Sequence, residues 1–233
     1  MLWWGWFDPV YLLFILPGFL LALWAQWRVQ AAYNYASGIP ARSGYAGAET
    51  AHLLLRAAGV PGVEIQPVRG FLSDHYSPGE KVLRLSPEVY AGRSLAALGV
   101  AAHETGHAFQ DAARYPLLVV RNALVPLAGF GSSVSWIILL LGFMLHLAGL
   151  IYLGIAVFSL TVLFQLVNLP VEFDASRRAR LALVDTGMVS RDEDMVVGKV
   201  LNAAALTYVA GTLTAILQLL YFLFRAGAFR GRD

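Results

Sequence analysis

Residues 123–169 read "ALVPLAGFGSSVSWIILLLGFMLHLAGLIYLGIAVFSLTVLFQLVNL", and this stretch decides the class of fold. Its 47 residues contain one readily charged side chain, His146. A helix needs about 20 apolar residues to cross a bilayer, and in lipid its backbone polar groups must be satisfied internally. The stretch therefore predicts two membrane-spanning helices with a tight turn near His146.

The composition of the whole chain agrees with a membrane protein. Of the 233 residues, 58% are hydrophobic and 14% are charged, far from the average soluble domain. The 15 acidic and 17 basic residues nearly balance, and no basic stripe with interleaved aromatics indicates a nucleic-acid partner. The absence of cysteine leaves histidine and carboxylate as the strong zinc ligands.

Two further segments have the length and apolarity of membrane spans. Residues 1–27 lack a basic n-region and a cleavage site, so we interpret them as an uncleaved anchor. Tryptophans near both ends of this segment have the position of interfacial anchors: Trp3, Trp4, Trp6, Trp24 and Trp27. Residues 203–224 form a fourth predicted span, entered from a helix that opens on the capping box of Ser190 and Glu193.

The segments between the spans resemble a soluble domain. Residues 28–116 alternate helical patterns with two short strand patterns, "VEIQPVRGFLS" and "KVLRLS", and "DHYSPGE" is predicted as the turn between them. Asn168 and Pro170 suit the start of a new helix over residues 170–202. The predicted order is span 1–27, domain 28–116, two spans in 117–169, helix 170–202, span 203–224 and tail 225–233.

The distribution of basic residues predicts the orientation. Eight lie in 28–116 and five in 170–202, against none before the first span and three after the last. The positive-inside rule places both large segments in the cytoplasm and both termini outside. With four spans, the two large segments face the same side in either orientation.

The motif that indicates a catalytic or metal-binding function is "AAHETGHAFQD" at residues 101–111. Positions four apart share a helix face, so His103 and His107 can reach one zinc ion. In the H-E-x-x-H arrangement Glu104 is the general base that takes a proton from the attacking water. The alternative is a pair of surface or core histidines on an amphipathic helix that binds no metal.

A catalytic zinc needs a third protein ligand. The glycine and histidine that would follow in a metzincin are absent, which excludes that class. Glu172 is the better candidate, because it begins a helix on the same membrane face as the histidines. Asp174 points to nearly the opposite side and is expected to cap the helix or pair with Arg177 or Arg178. The alternative for Glu172 is a glutamate favoured only by the helix dipole.

Four motifs, "LSDHYSPGEKVLRLSPEVY", "AAHETGHAFQ", "PVEFDASRRA" and "NAAALTYVA", closely resemble the YugP-type neutral zinc metallopeptidases of bacterial membranes. The resemblance covers nearly the whole chain. It implies a gluzincin-like membrane metalloprotease, more distantly similar to HtpX-type enzymes. It also implies one Zn²⁺ ion on His103, His107 and Glu172, with Glu104 as the catalytic residue.

The chain departs from the gluzincin pattern at one position. Gluzincins often carry an acidic residue four places after the glutamate ligand, where it orients a zinc histidine. Ser176 stands there. The orienting role is left open to Asp174, Asp111 or a water.

The same resemblance suggests how substrate binds. An edge strand beside the active helix usually takes up substrate backbone by strand addition, and "KVLRLS" is the candidate. His75 or Tyr76 could stabilise the oxyanion. The alternative is that "SDHYSP" is a tight turn with its own hydrogen bonds.

The sequence therefore predicts a mainly α-helical protein with four transmembrane helices and a small α+β zincin-like catalytic domain. It would be a zinc-dependent endopeptidase of the bacterial inner membrane, acting on membrane proteins or unstructured peptide segments near the bilayer. A partner protein or homo-oligomer is left open. The rivals are a non-catalytic zinc-binding scaffold or chaperone-like protein and a transporter component. An intramembrane zinc protease is disfavoured because residues 93–113 are too polar to face lipid.

Overall fold

The computed structural model describes residues 8–70 and 73–227, without the side chain of Phe130. Trp3, Trp4 and Trp6, predicted as interfacial anchors, lie outside the described residues, as does most of the predicted tail. The described helices and strands follow in chain order: α1 (Pro9–Ser37), α2 (Gly47–Ala57), β1 (Glu64–Pro67), β2 (His75–Ser77), β3 (Val82–Leu85), α3 (Pro87–Tyr90), α4 (Leu95–Ala112), α5 (Pro116–Met144), α6 (Ala148–Asp185) and α7 (Arg191–Arg225).

Four of these helices are long and apolar enough to cross a membrane: α1, α5, α6 and α7. The prediction of a mainly helical protein with four candidate spans is therefore confirmed. The turn predicted near His146 is also present, since α5 ends at Met144 and α6 begins at Ala148. His146 occupies the left-handed region with φ 54°, which permits the tight reversal.

The predicted helix start at residues 168–170 is wrong. Helix α6 continues through Pro170 without a break, so the third span and the segment carrying Glu172 form one helix. Proline removes one backbone donor, but long helices of membrane proteins tolerate it. The Asn168 side chain does not cap a new helix; its Oδ1 accepts a hydrogen bond from Arg121 Nε at 3.1 Å.

The small sheet corrects two predictions about its strands. The strand order is β1-β3-β2, with β3 parallel to β1 and antiparallel to β2. The predicted substrate strand "KVLRLS" contains β3, which is paired on both sides and has no free edge for another strand. Residues 75–77, predicted within a turn, form the edge strand β2, because each pairs with a residue of β3.

The described chain divides into two compact units. The first contains the described residues of 1–25, 120–169 and 207–233. Its core is apolar and includes Leu139, Phe158 and Phe222. A Cβ added at Gly154 would lie 2.6 Å from Leu139 Cγ, and one added at Gly18 would lie 2.6 Å from Thr214 Oγ1. Small residues therefore allow close helix packing in this unit.

The second unit contains residues 26–119 and 170–206. Its two apolar clusters lie on either side of α4 and share the half-buried Val100 and Phe109. One cluster includes Leu98 with Leu183 and Val197, from α6 and α7. The other includes Ala101 with Leu83 and Leu85, from the sheet. Helix α4 is thereby held at the centre of this unit.

Candidate metal centre

Helix α4 carries both histidines of the motif. Ser94 caps its N-terminus, with Oγ accepting the backbone N–H of Ala97 at 3.2 Å. His103 and His107 lie one turn apart, with ring centroids 4.9 Å apart and ring planes at 81°. The helical spacing thus places two imidazoles side by side.

Helix α6 brings Glu172 to these rings. A Cβ added at Gly106 would lie 2.4 Å from the carbonyl oxygen of Ala175, so the two helices approach more closely than an alanine at 106 would allow. The Oε2 atom of Glu172 lies 3.3 Å from His103 Nε2 and 3.7 Å from His107 Nε2. One candidate ligand atom from each residue lies within 4.8 Å of the others.

These separations suit a single zinc ion. Bonds of about 2.0–2.1 Å in a tetrahedron put two ligand atoms about 3.4 Å apart. Glu172 is 3% exposed and His107 is 9% exposed. Glu172 Oε2 is buried without a hydrogen-bond partner among the described residues. A buried carboxylate oxygen without a partner is costly, and a bound cation would satisfy it.

The Glu172 carboxylate also changes the pKa of His107. Burial alone would lower the pKa of His107, but the nearby Glu172 carboxylate outweighs burial and raises it. A metal ion that binds Nε2 must displace any proton held on that nitrogen.

Glu104 has a different environment from Glu172. It is half-buried, and its Oε2 accepts the backbone N–H of Tyr76 at 3.1 Å. Tyr76 belongs to the edge strand β2, so the sheet holds the carboxylate predicted as general base. This contact between β2 and α4 was not predicted from the sequence.

The side chains of Tyr76 and His75 are engaged elsewhere. The Tyr76 hydroxyl donates to Asp111 Oδ2 at 2.6 Å, and burial together with the Asp111 carboxylate raises the pKa of Tyr76. Lys81 pairs with the same carboxylate. His75 is exposed, with its Nδ1 2.8 Å from the carbonyl oxygen of Ser73. Their predicted role at an oxyanion stays a prediction.

Two neutral side chains contact the Nδ1 atoms of the histidine rings, whereas the Nε2 atoms face Glu172. Ser176 Oγ lies 3.0 Å from His103 Nδ1, and Gln110 Oε1 lies 3.0 Å from His107 Nδ1. Because these partners can hold a proton on Nδ1, they leave Nε2 to face Glu172.

From the sequence, the orienting partner of a zinc histidine is expected to be Asp174, Asp111 or a water. Of the two candidate residues, Asp111 hydrogen-bonds Tyr76 and Lys81, and Asp174 hydrogen-bonds Gln110, Arg177 and Arg178. The expected pairing of Asp174 with arginines is confirmed. In the sequence, the feature that indicates a contact of Gln110 with His107 is its position three residues later, on the same helix face.

A cavity of about 680 Å³ lies between α6 and α7. Its lining includes Ser176 and the exposed apolar side chains of Phe173, Leu181 and Met195. The cavity therefore adjoins the hydroxyl that contacts His103.

Comparison with known proteins finds a family of zinc metallopeptidases. A sequence model of one protein family, described as "Putative neutral zinc metallopeptidase", matches residues 11–227. Among curated proteins, "Putative membrane protease YugP" of Bacillus subtilis (strain 168) is 46% identical over 202 residues, which are 87% of this chain and 90% of that protein. No solved structure matches the chain significantly. The resemblance carried by the four motifs is confirmed.

Proposed function

Because the chain belongs to the neutral zinc metallopeptidase family, we propose that it is a membrane-anchored endopeptidase that hydrolyses peptide bonds with one Zn²⁺ ion. His103, His107 and Glu172 hold the ion, and Glu104 is the general base. The second unit of the chain is the catalytic domain, of the gluzincin type.

One observation carries this proposal. Two imidazole nitrogens and a buried carboxylate oxygen, from helices far apart in the chain, converge at separations of 3.3 and 3.7 Å. A histidine pair that bound no metal would not need a carboxylate at 3% exposure without a hydrogen bond. The three residues make up the two-histidine, one-glutamate ligand set of catalytic zinc sites, which leaves a fourth position open.

The chain's own residues perform the proton transfers. When bound, zinc supplies Lewis-acid activation of water near neutral pH. Glu104 accepts a proton from the water whose oxygen attacks the peptide carbonyl carbon. As the C–N bond breaks, Glu104 returns that proton to the leaving nitrogen. The Tyr76 N–H holds Glu104 in place through a backbone contact that does not involve the Tyr76 hydroxyl.

The proposed substrates follow from the membrane anchor. Four candidate spans tether the catalytic unit to a bilayer, so it meets membrane proteins or unstructured segments close to the surface. We place the enzyme in the bacterial inner membrane with residues 28–116 and 170–202 in the cytoplasm, because these segments carry most of the basic residues.

The test uses the full chain purified in detergent. We expect the wild type to contain one zinc and to cleave an unstructured protein such as casein. Glu104→Gln should keep the zinc and lose cleavage, because the amide cannot accept the proton. Glu172→Ala should lose both, because two histidines alone hold zinc weakly.

Glu88→Gln is the matched control, since it makes the same change at an exposed carboxylate on α3; it should retain zinc and activity. A Glu104→Gln variant that cleaves like the wild type would refute the assigned mechanism. Stoichiometric zinc in the wild type without cleavage of any membrane-protein or unfolded substrate would favour a zinc-binding scaffold.

A further inference from the structure

Gln110 is a fully buried polar side chain beside the metal centre. It is 0% exposed and lies on α4 one turn after His107. Its Oε1 is 3.0 Å from His107 Nδ1, and its Nε2 donates to the carbonyl oxygen of Val171 at 2.8 Å and to Asp174 Oδ2 at 3.0 Å. Both donors and the acceptor of the amide are therefore used.

These partners leave the amide one orientation. The Val171 carbonyl and the Asp174 carboxylate can only accept hydrogen bonds, so both must face the amide nitrogen. The amide oxygen then faces His107, whose Nδ1–H is the donor. Nδ1 carries the proton, and Nε2 keeps the lone pair that a metal requires.

The hydrogen bonds of Gln110 also join α4 and α6, the two helices that carry the proposed ligands. Val171 immediately precedes Glu172 on α6, so Gln110 connects the ring of one ligand to the backbone beside another. Asp174 is itself fixed by Arg178, whose Nε lies 2.5 Å from its Oδ2, and by Arg177. The amide is thus held from α6 while it holds a ring on α4.

We propose that Gln110 is a positioning residue for metal binding: it sets the tautomer and direction of the His107 ring relative to Glu172. The proposal rests on the proposed zinc site. Ser176 is the corresponding contact of His103, but it is a single hydroxyl from the other helix. Gln110 bridges the His107 ring on α4 to a main-chain carbonyl of α6.

The test compares metal binding in Gln110→Leu and wild type, with the full chain in detergent. Leucine fills similar space but offers no acceptor to His107. We expect zinc affinity, measured by competition with a chromophoric chelator, to fall by about 10- to 100-fold. The visible absorption spectrum of the Co²⁺-loaded protein should also change, because the ring is free to rotate. Gln66→Leu on β1, the sheet edge opposite β2, is the matched control and should bind both metals like the wild type.

A paired variant separates the acceptor from packing. Gln110→Glu combined with Asp174→Asn keeps an oxygen facing His107 and a donor facing residue 110, but the Val171 carbonyl loses its donor. The pair should therefore unfold at a lower temperature than wild type and still bind zinc at least about threefold more tightly than Gln110→Leu. If this pair binds as weakly as Gln110→Leu, packing rather than the oxygen sets the affinity, and the proposal is overturned.

The remaining outcomes are also decisive. Gln110→Leu with wild-type zinc affinity and an unchanged Co²⁺ spectrum overturns the positioning role while leaving the zinc site intact. A wild type that binds no zinc refutes the proposed function and this role together. If the leucine variant does not fold, Gln110→Met, which has the same length, replaces it with the same expectations.

Discussion

Glu104 and Glu172 show how environment separates two identical side chains. Glu172 is 3% exposed and faces two imidazoles without accepting a hydrogen bond from the described residues. Glu104 is half-buried and accepts a backbone N–H. A buried, unpartnered carboxylate beside two histidines suits a metal ligand, whereas an accessible, lightly held carboxylate suits proton transfer.

Tyr76→Phe tests which part of Tyr76 matters. The change removes the hydroxyl bonded to Asp111 and keeps the backbone N–H that contacts Glu104. We expect the free energy of unfolding to fall by about 1 kcal/mol, the typical value of one hydrogen bond. The rate of peptide cleavage should change by less than about threefold, since the donor to Glu104 remains.

Thermal unfolding and steady-state cleavage of the purified variant measure the two effects. A loss of about 100-fold or more in kcat, with the unfolding temperature unchanged, would instead place the hydroxyl at the oxyanion.

At the scale of elements, the site depends on the close approach of α4 and α6. The space left by the missing side chain of Gly106 is filled by the backbone of Ala175. Ala175 and Ala179 are fully buried on the same stripe of α6 as Glu172. Small side chains at this contact therefore determine whether Glu172 can reach the histidines.

Gly106→Ala should destabilise the proposed catalytic unit. The new Cβ would lie 2.4 Å from the Ala175 carbonyl oxygen, so the helices must separate. We expect a loss of about 1–3 kcal/mol, the usual cost of overpacking, and a lower zinc content because Glu172 moves with α6. Thermal unfolding and metal analysis of the detergent-solubilised variant provide the measurements.

Gly129→Ala is the matched control, because nothing lies within 4 Å of a Cβ added there on α5. It should be neutral or slightly stabilising, as alanine favours the helix. Equal stability and zinc content in the Gly106 and Gly129 variants would show that α4 and α6 are not packed this closely.

For the molecule as a whole, the chain alternates between apolar helices and a proposed catalytic unit assembled from two separate segments. The described residues of 26–119 and 170–206 form one compact unit although candidate membrane spans separate them in the chain. Such assembly requires both segments to lie on the same side of the bilayer, which an even number of intervening spans provides.

The proposed orientation can be tested by cysteine labelling, because the natural chain contains no cysteine. Glu88→Cys lies in the segment proposed to be cytoplasmic, and Leu147→Cys lies in the exposed turn between α5 and α6. In intact spheroplasts, an impermeant maleimide should label the cysteine at 147 and not the one at 88. The cysteine at 88 should become labelled after permeabilisation. Reversed labelling would invert the topology, and labelling of both in intact spheroplasts would exclude α5 as a membrane-spanning helix between them.

The sequence predicts the structure correctly where a local pattern is compatible with one kind of structure. Apolar stretches of spanning length predicted the four candidate spans, and the capping box of Ser190 and Glu193 is present at the start of α7. The prediction is wrong at Pro170 and at β2. There, neighbours distant in the chain override a local preference: a proline is accommodated within a long helix, and pairing with β3 converts a predicted turn into a strand.

The membrane class, the histidine pair and the family can be identified from the printed residues, because hydrophobicity and motif spacing are properties of contiguous residues. The contact of edge strand β2 with Glu104, and the contacts of Ser176 and Gln110 with the histidine rings, are visible only in the folded chain. These contacts join residues far apart in the chain or depend on which way a side chain turns inside the core. The sequence offers several polar side chains that could contact the histidines and Glu104. The packing of α4 against α6 and the sheet determines which of them do so.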